Sequence, residues 1–183
     1  MRIIGGTYRG KKLIPPQDKN IRPTTDRMRE TLFNMLEHGA GPGIRGSKIL
    51  DLFAGTGALG LEALSRSADH VTFVENNHRS MKLIKENAKL LGNPDNASYL
   101  SMDASKISKR SGTFDVIFMD PPYRKDLVEP TLENILKQEL LTEDGIIVAE
   151  YASDEEIVFP EKFEILKSKK MGDATFSILM LST

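Results

Sequence analysis

The stretch Lys48 to Gly60, KILDLFAGTGALG, places an apolar run, a glycine-rich segment and helix-forming residues in direct succession. The apolar run is interrupted only by Asp51, a pattern typical of the end of a buried strand. Gly55, Gly57 and Gly60 follow at GxGxxG spacing. Glycine permits positive φ and lets a ligand approach bare backbone, while a helix N-terminus offers free N–H groups. The stretch therefore predicts a nucleotide-binding strand–turn–helix unit.

Two ligand classes use such a turn, and a structural turn without a ligand is the remaining interpretation. Dinucleotide dehydrogenases place a pyrophosphate over it. S-adenosylmethionine (SAM) enzymes use a related turn that begins with an acidic residue. Asp51 stands four residues before Gly55, where a carboxylate can bind an ammonium group directly or through water and would repel a pyrophosphate. The acid favours SAM.

Charge is distributed unevenly along the 183 residues, a length that suits one domain with a small appendage. Residues 1–30 carry a formal charge of +5, whereas the remainder carries −6. A basic arm on an acidic body predicts a polyanionic partner bound through the arm. The alternative is a basic terminus that is merely solvated.

Composition excludes several classes of protein. The chain has no cysteine, which rules out disulfides and thiolate metal sites. His38, His70 and His78 are scattered without ligand spacing, so we expect no metal. No apolar run approaches the length of a membrane span, and the N-terminus lacks the apolar segment of a signal peptide. We expect a cytoplasmic protein without membrane contact.

The first 38 residues predict a separate extension. Residues 1–16 favour two short strands around Gly5-Gly6, and Thr24 or Thr25 is the expected N-cap of a helix with an apolar stripe. The glycine-rich residues 39–46 are the expected linker. We therefore predict a basic hairpin-and-helix extension over residues 1–38 and a catalytic domain over residues 47–183.

Beyond the glycine turn, strand and helix patterns alternate. Strands are expected at 70–75, 97–101, 114–119 and 145–151, and an antiparallel pair at 161–170 and 175–181. The helix at 126–137 contains Pro130, so its regular part is expected to begin there. Alternation of this kind implies an α/β fold with a doubly wound, mostly parallel sheet of seven strands and helices on both faces.

Four acids stand at the ends of successive predicted strands, where ligands of parallel sheets bind. They are Asp51, Glu75, Asp103 and Asp120. Glu75 follows Gly55 by 20 residues, the spacing at which a carboxylate binds ribose hydroxyls. Asp103 either accepts from an adenine amino group or caps the helix that follows. Together the acids outline a site for a cationic ligand rich in hydroxyls.

The segment Asp120-Pro121-Pro122-Tyr123 is the most specific signal in the chain. Two prolines remove two N–H donors and hold the backbone extended, so that carbonyls can face a ligand. The Asp120 carboxylate and the Pro121 carbonyl can accept both hydrogens of an exocyclic amine, and Tyr123 can stack on the base. The alternative is a proline-rich turn that only ends a strand.

These motifs resemble those of a known protein family. DLFAGTGALGLEALSR (51–66) with DPPY (120–123) resembles the Rossmann-like class I SAM-dependent amino-methyltransferases. RIIGGTYRGKKL (2–13) and RPTTDRMRETLFNML (22–36) narrow the resemblance to the bacterial RsmD family of 16S ribosomal RNA guanine-N2 methyltransferases. The resemblance implies cofactor binding by Asp51, Phe53, Gly55, Gly57, Glu75, Asn76, Asp103 and Ala104, and target-base binding by Asp120, Pro121, Pro122 and Tyr123. The basic charge of the N-terminal region predicts RNA contacts from Arg9, Lys11, Lys12 and Arg22.

The expected reaction is direct methyl transfer from SAM to guanine N2 in 16S rRNA or an assembling small subunit, by a monomer. An adenine-N6 methyltransferase of DNA or RNA stays open, because DPPY does not distinguish the two amines. So does an RNA-binding assembly factor that retains the SAM fold without activity. An NAD-dependent oxidoreductase is the third alternative, and Asp51 opposes it.

Overall fold

A computed structural model describes residues 1–16, 25–39 and 41–182 of the chain. In these ranges the helices are α1 (Asp26–Glu37), α2 (Ala58–Ser65), α3 (His78–Leu90) and α4 (Val128–Lys137), with single 3₁₀ turns at Ala104–Lys106 and Lys109–Ser111. The strands are β1 (Lys48–Leu52), β2 (His70–Val74), β3 (Ala97–Leu100), β4 (Phe114–Met119), β5 (Leu141–Ala152), β6 (Phe163–Met171) and β7 (Ala174–Leu181). None of the helices in the described ranges is long and apolar enough to cross a bilayer.

All seven strands form one sheet in the order β3-β2-β1-β4-β5-β7-β6. The first five are parallel, whereas β7 runs antiparallel to both β5 and β6. The central strands β1, β2 and β4 are buried along almost their whole length, as expected for strands covered on both faces. The prediction of a mostly parallel seven-stranded sheet is confirmed.

Two apolar cores lie on opposite faces of the sheet. One contains the buried side chains of the N-terminal arm and of α1, α2 and α3, and we call this side the arm face. The other contains those of α4 and the first 3₁₀ turn, and we call it the α4 face. Residues 1–16 and α1 therefore pack into the core of the sheet.

Capping side chains set the starts of two helices. Thr25 accepts a hydrogen bond from the backbone N–H of Met28 and begins α1, while Thr24 lies outside the described residues. Asn77 accepts from two backbone N–H groups and begins α3. Helix α4 begins at Val128, two residues before the start predicted at Pro130. Pro130 fits in the first turn because the N–H that it lacks would have no partner within the helix.

The N-terminal arm, residues 1–16, forms a single antiparallel bridge between Arg2 and Lys12 instead of two strands. Thr7 and Tyr8, which favour strand by their residue type, lie in a turn. Their N–H groups donate to the Ser65 carbonyl (2.8 Å) and the Ser65 hydroxyl (2.9 Å) of α2. Because these donors are used by α2, they cannot extend a hairpin ladder.

A buried carboxylate fixes the arm on the same helix. Glu62 is fully buried and accepts from the N–H groups of Ile4 (2.7 Å) and Gly5 (2.8 Å). It also accepts from Nε of Arg66 at 2.8 Å, and Arg66 in turn pairs with Glu37 of α1. These charge-assisted bonds compensate for the burial of the Glu62 charge. Helix α2 therefore holds the arm and α1 in fixed positions.

Gly6→Ala should detach the arm, and Gly10→Ala is its matched control. Both glycines have positive φ, 74° and 83°, so each alanine costs about 1–2 kcal/mol of backbone strain. A Cβ at Gly6 would also lie 1.8 Å from the Ser65 carbonyl oxygen, whereas one at Gly10 would meet nothing within 4 Å. We expect Gly6→Ala to cost about 1–3 kcal/mol more in urea unfolding. Equal losses in the two variants would contradict this arm–helix contact.

Candidate active site

The carboxyl ends of the parallel strands meet at one edge of the sheet, which we call the carboxyl edge. Leu52 is aligned with the last residue of β2 and with the last residue of β4. The next residues along the chain are Phe53, Glu75 and Asp120. They therefore lie side by side, at the same height along the strand direction. The register thus brings three of the predicted site residues to neighbouring positions on three adjacent strands.

The glycine turn after β1 has left-handed backbone at three positions. The φ angles are 59° at Phe53, 56° at Gly55 and 76° at Gly57. Positive φ is strained for a phenylalanine, and such strain concentrates at ligand-binding sites. A Cβ added at Gly55 would meet only the Phe53 carbonyl oxygen, at 3.8 Å. The turn therefore exposes backbone that a ligand can approach closely.

Gly60, the third glycine of the motif, serves packing instead. A Cβ there would lie 2.3 Å from Cε1 of Phe73 and 2.9 Å from Oδ2 of Asp51. The absence of a side chain lets α2 pack closely against β1 and β2. The backbone N–H of Gly60 then donates to Oδ2 of Asp51 at 2.9 Å, which satisfies one of the free N–H groups in the first turn of α2.

Asp51 is buried beneath the turn, with 2% of its surface exposed. Burial raises the pKa of its carboxyl from 3.8 to about 8, because desolvation disfavours the charged form. The hydrogen bond from Gly60 opposes this rise in pKa, and the nearby charge of Glu75 adds to it. Asp51 thus supports the start of α2, and its charge responds to any cation that binds above it.

Glu75 connects the glycine turn to α3. Its Oε2 accepts from the N–H of Gly55 at 2.9 Å, and its Oε1 accepts from the N–H of Asn77 at 2.8 Å. Each carboxylate oxygen has a second lone pair, and the side chain is only half-buried. Glu75 can therefore accept further hydrogen bonds from ligand hydroxyls. Its neighbour Asn76 is exposed.

Asp103 follows β3 and begins the first 3₁₀ turn. Its Oδ1 accepts from the N–H of Ser105 at 2.8 Å, and this bond lowers the pKa of the Asp103 carboxyl. The capping interpretation thus describes the contact that is present. Asp103 itself is exposed and Ala104 is buried, and adenine binding by the two residues stays a prediction.

The DPPY segment continues directly from β4. Asp120 and Tyr123 are half-buried, Pro121 is buried and Pro122 is exposed. The Tyr123 hydroxyl donates to Oε1 of Glu150. Tyr123 also packs against the core on the arm face. These contacts fix the aromatic ring at the carboxyl edge.

Glu150 was not among the residues that the sequence singled out. It lies on β5, is 4% exposed, and interrupts the apolar run GIIVAEY. Asp51 interrupts the apolar run of β1 in the same way, and that pattern was the available signal. A carboxylate buried at a strand end needs a donor, and the Tyr123 hydroxyl supplies one.

Asn87 places the N-terminal arm beside the glycine turn, a contact that sequence analysis also missed. Its side chain is fully buried, accepts from the N–H of Ile14 (2.7 Å) and donates to the Ile14 carbonyl (3.2 Å). It also donates to the Thr56 carbonyl at 3.1 Å. One amide on α3 thus joins the end of the arm to the turn.

Three of the four predicted RNA-contacting residues lie in the described part of the chain. Arg9, Lys11 and Lys12 are exposed, and Arg22 lies outside the described residues. In the described part of the chain, no group of three or more histidine and acidic side chains is placed to hold a metal ion.

Two open grooves of about 530 Å³ and 520 Å³ lie elsewhere and share Thr7, Arg45 and Ser67 among their lining residues. Arg45 precedes β1 and Ser67 precedes β2, so the grooves lie at the amino ends of the strands. Ligands of parallel α/β sheets bind at the carboxyl ends. The strained turn and the acids are also there, so the carboxyl edge is the candidate site.

The residues of this edge fit SAM by their chemistry. Gly55 leaves open backbone, Glu75 retains acceptor capacity, and Asp51 provides a potential negative charge below the turn. A ligand with an ammonium group, a sulfonium centre and ribose hydroxyls matches these groups, whereas a pyrophosphate would be repelled by the Glu75 carboxylate. The fold and this edge define the class of Rossmann-like, SAM-dependent methyltransferases.

Comparison with known proteins identifies the family. Residues 1–180 match the family described as Conserved hypothetical protein 95, and the chain belongs to this family. It is 38% identical to Ribosomal RNA small subunit methyltransferase D of Escherichia coli strain K12, covering 97% of this chain and 88% of the relative. The protein of the same name from Haemophilus influenzae is 36% identical, covering 97% of this chain and 92% of the relative.

A solved structure agrees over the full length. The Escherichia coli protein yhhF superposes with a TM-score of 0.86 at 33% identity, covering 100% of this chain and 98% of that one. The RsmD-family resemblance and the Rossmann-like methyltransferase fold predicted from the sequence are both confirmed.

Asp51→Asn should change how stability depends on pH. Between about pH 4 and pH 8 the folded protein holds a proton on Asp51 that the unfolded chain releases. The free energy of unfolding of the ligand-free protein should therefore fall as pH rises through this window, by up to about 1.4 kcal/mol per pH unit from this group. Asp51→Asn should lack this component when urea unfolding is measured at several pH values.

The matched control is Asp95→Asn, which removes an exposed carboxylate. It should follow the wild-type pH dependence. If the curves for Asp51→Asn and the wild type run parallel from pH 4 to pH 8, Asp51 is ionised in the folded protein and the assigned pKa is wrong.

Proposed function

We propose that this protein is a SAM-dependent methyltransferase that methylates the exocyclic N2 of a guanine in 16S ribosomal RNA of the small subunit. The observation that carries the proposal is the DPPY segment at the carboxyl edge, where Tyr123 is held by Glu150 and Asp120 lies level with Glu75. The name shared by the relatives supports ribosomal RNA of the small subunit as the substrate.

The cofactor site in this proposal extends across β1, β2 and β3. Asp51, Phe53, Gly55 and Gly57 hold the methionine part, Glu75 with Asn76 holds the ribose, and Asp103 with Ala104 holds the adenine. SAM, when bound, would supply an electrophilic methyl group on a sulfonium, and the S–CH3 bond that breaks would leave a neutral thioether. Because Glu75 already accepts from Gly55 and Asn77, its oxygens are oriented before the ribose hydroxyls arrive.

Asp120 and Pro121 hold the target amine. The Asp120 carboxylate and the Pro121 carbonyl accept the two hydrogens of N2, which orients its lone pair towards the methyl group. As the new N–C bond forms, N2 loses a proton, and the Asp120 carboxylate is a basic group that can accept it. Tyr123 stacks on the guanine, and Glu150 positions the tyrosine ring. Orientation and electrostatics supply the acceleration.

The RNA partner binds the N-terminal extension, residues 1–38, which includes the arm. A guanine reaches a pocket of this kind only when it is single-stranded or flipped out of a helix. Arg9, Lys11, Lys12 and Arg22 bind phosphates, so that residues 1–38 act as the RNA-contacting extension of the catalytic domain, residues 47–183. The contact of Asn87 with Ile14 and Thr56 supports this assignment, because it joins the arm to the glycine turn. The substrate is 16S rRNA or an assembling small subunit, and the enzyme acts in the cytoplasm as a monomer.

Glu75→Ala should weaken SAM binding by about ten- to a hundredfold, because it removes charge-assisted hydrogen bonds to the ribose worth roughly 1.5–3 kcal/mol. Glu75→Gln retains one acceptor oxygen and should lose less. Isothermal titration calorimetry measures both, with Glu133→Ala, an exposed acid on α4, as control. Wild-type affinity in a folded Glu75→Ala protein would refute the ribose assignment.

Methylation of 16S rRNA or small subunits lacking this modification tests the function itself. After incubation with SAM carrying a labelled methyl group, mass spectrometry of the nucleosides should find the label in N2-methylguanosine. Asp120→Ala should bind SAM as the wild type does and lose turnover by on the order of a hundredfold or more, because its carboxylate acts on the amine.

Other outcomes identify the alternatives. Label in N6-methyladenosine would replace the guanine assignment by an adenine-N6 methyltransferase. RNA binding without any labelled nucleoside would favour a non-catalytic assembly factor. An Asp120→Ala protein that loses SAM affinity but keeps its rate at saturating SAM would move Asp120 to the cofactor side.

A further inference from the structure

Strand β6 lies at one end of the sheet, where β7 is its only neighbour. Residues 164–170 are all exposed, although the strand starts with the buried Phe163. Its charged side chains are Lys167, Lys169, Lys170 and a single acid, Glu164. The segment therefore presents a basic strand on a body that is acidic beyond residue 30.

Strand pairing shows which face each lysine occupies. Lys167 pairs with Ile178 and Lys169 pairs with Phe176, and both partners belong to the core of the arm face. Side chains alternate between the two faces of a sheet. Lys167 and Lys169 therefore share the arm face, whereas Lys170 lies on the α4 face.

A one-residue bulge produces this arrangement. The register between β6 and β7 shifts between Ile165 and Lys167, which leaves Leu166 without a paired position. In a regular ladder, Leu166 would occupy the arm face and Lys167 would face the other side, because one residue of slip inverts every side chain. The bulge thus places two lysines on the arm face, as bulges near functional sites often re-aim side chains.

Lys169 lies in a row of paired residues across β6, β7 and β5 that ends at the candidate target-base site. Lys169 pairs with Phe176, and Phe176 pairs with Glu150, the partner of the Tyr123 hydroxyl. Two strand spacings separate the backbones of Lys169 and Glu150, about 10 Å. A stacked nucleic-acid strand carries one phosphate per 3.4 Å or so. Lys169 therefore lies within about three nucleotides of a base held at Tyr123.

The charges of these lysines are not neutralised within the described part of the chain. Neither Lys167 nor Lys169 forms an ion pair there, whereas other exposed cations do, such as Arg124 with Asp154 and Lys82 with Glu86. Lysines on an edge strand can also serve only to prevent pairing with another sheet. The bulge already disrupts that edge, and the pairing of Lys169, Phe176 and Glu150 adds an alignment with the candidate target-base site that edge protection does not require.

We propose that Lys167 and Lys169 of β6 bind phosphates of the substrate RNA within a few nucleotides of the methylated guanine. This inference rests on the proposed function and adds a second phosphate-binding surface to that of the arm. The RNA strand would run from the Tyr123 site across β7 to β6, on the face that also carries the arm.

The test is a salt titration of binding to the 16S rRNA substrate by the double variant Lys167→Gln/Lys169→Gln. The logarithm of the RNA-binding constant falls linearly with the logarithm of the salt concentration. Loss of two phosphate contacts should reduce the steepness of this line by about 1.4–1.8. Between 50 and 200 mM salt the variant should then lose about seven- to twelvefold less affinity than the wild type. In methyl transfer, KM for RNA should rise while kcat and SAM affinity stay unchanged.

Two further variants complete the design. Lys48→Gln/Lys137→Gln removes two exposed lysines, one at the first residue of β1 and one in the last turn of α4. Both lie at the end of the sheet away from the carboxyl edge, so this variant should retain the wild-type slope. Lys167→Arg/Lys169→Arg keeps the charge and should retain RNA affinity. Sedimentation velocity reports the oligomeric state of each protein.

The outcomes separate the failure of this inference from failure of the proposed function. If the wild type methylates guanine and Lys167→Gln/Lys169→Gln shows the same salt dependence of RNA binding as the wild type, only this inference is refuted. If that variant forms dimers with unchanged RNA affinity in its monomer, the lysines only protect the strand edge, which also overturns the inference. If the wild type neither binds nor methylates the RNA, the proposed function itself fails.

Discussion

Helix α2 packs against β1 and β2 at a distance that leaves no room for a side chain at residue 60. A Cβ at Gly60 would overlap the ring of Phe73, and the Gly60 N–H donates directly to Asp51. This contact fixes the start of α2 relative to the end of β1. It thereby sets the course of the glycine turn between them, which must adopt left-handed backbone even at Phe53.

The position of α2 determines where the N-terminal arm can lie. Glu62 and Ser65 of this helix bind the backbone of residues 4–8, and Asn87 of α3 binds Ile14 and Thr56 together. The arm is thus attached to the helix that starts at the cofactor turn. The position of the arm is therefore tied to the packing of α2 on the sheet.

Buried carboxylates recur in this structure, and each has a specific donor. Glu62 receives hydrogen bonds from the arm and Arg66, Glu150 from Tyr123, and Asp51 from Gly60. At Asp51 desolvation outweighs the single hydrogen bond from Gly60, so the pKa of this carboxyl rises to about 8. Burial of an acid that lacks a cation partner costs stability.

From residue 48 onward the sequence alone determined the order of strands and helices, the glycine turn and the acids at strand ends, because those features depend on local periodicity, capping residues and glycine spacing. Only the tertiary structure decided which groups meet. Thr7 and Tyr8 favour a strand locally, yet their N–H groups bind Ser65, far along the chain. Likewise, Tyr123 finds Glu150, and a bulge at Leu166 selects the face of Lys167. Contacts between residues distant in sequence leave no local periodicity, so their geometry follows only from the packed sheet.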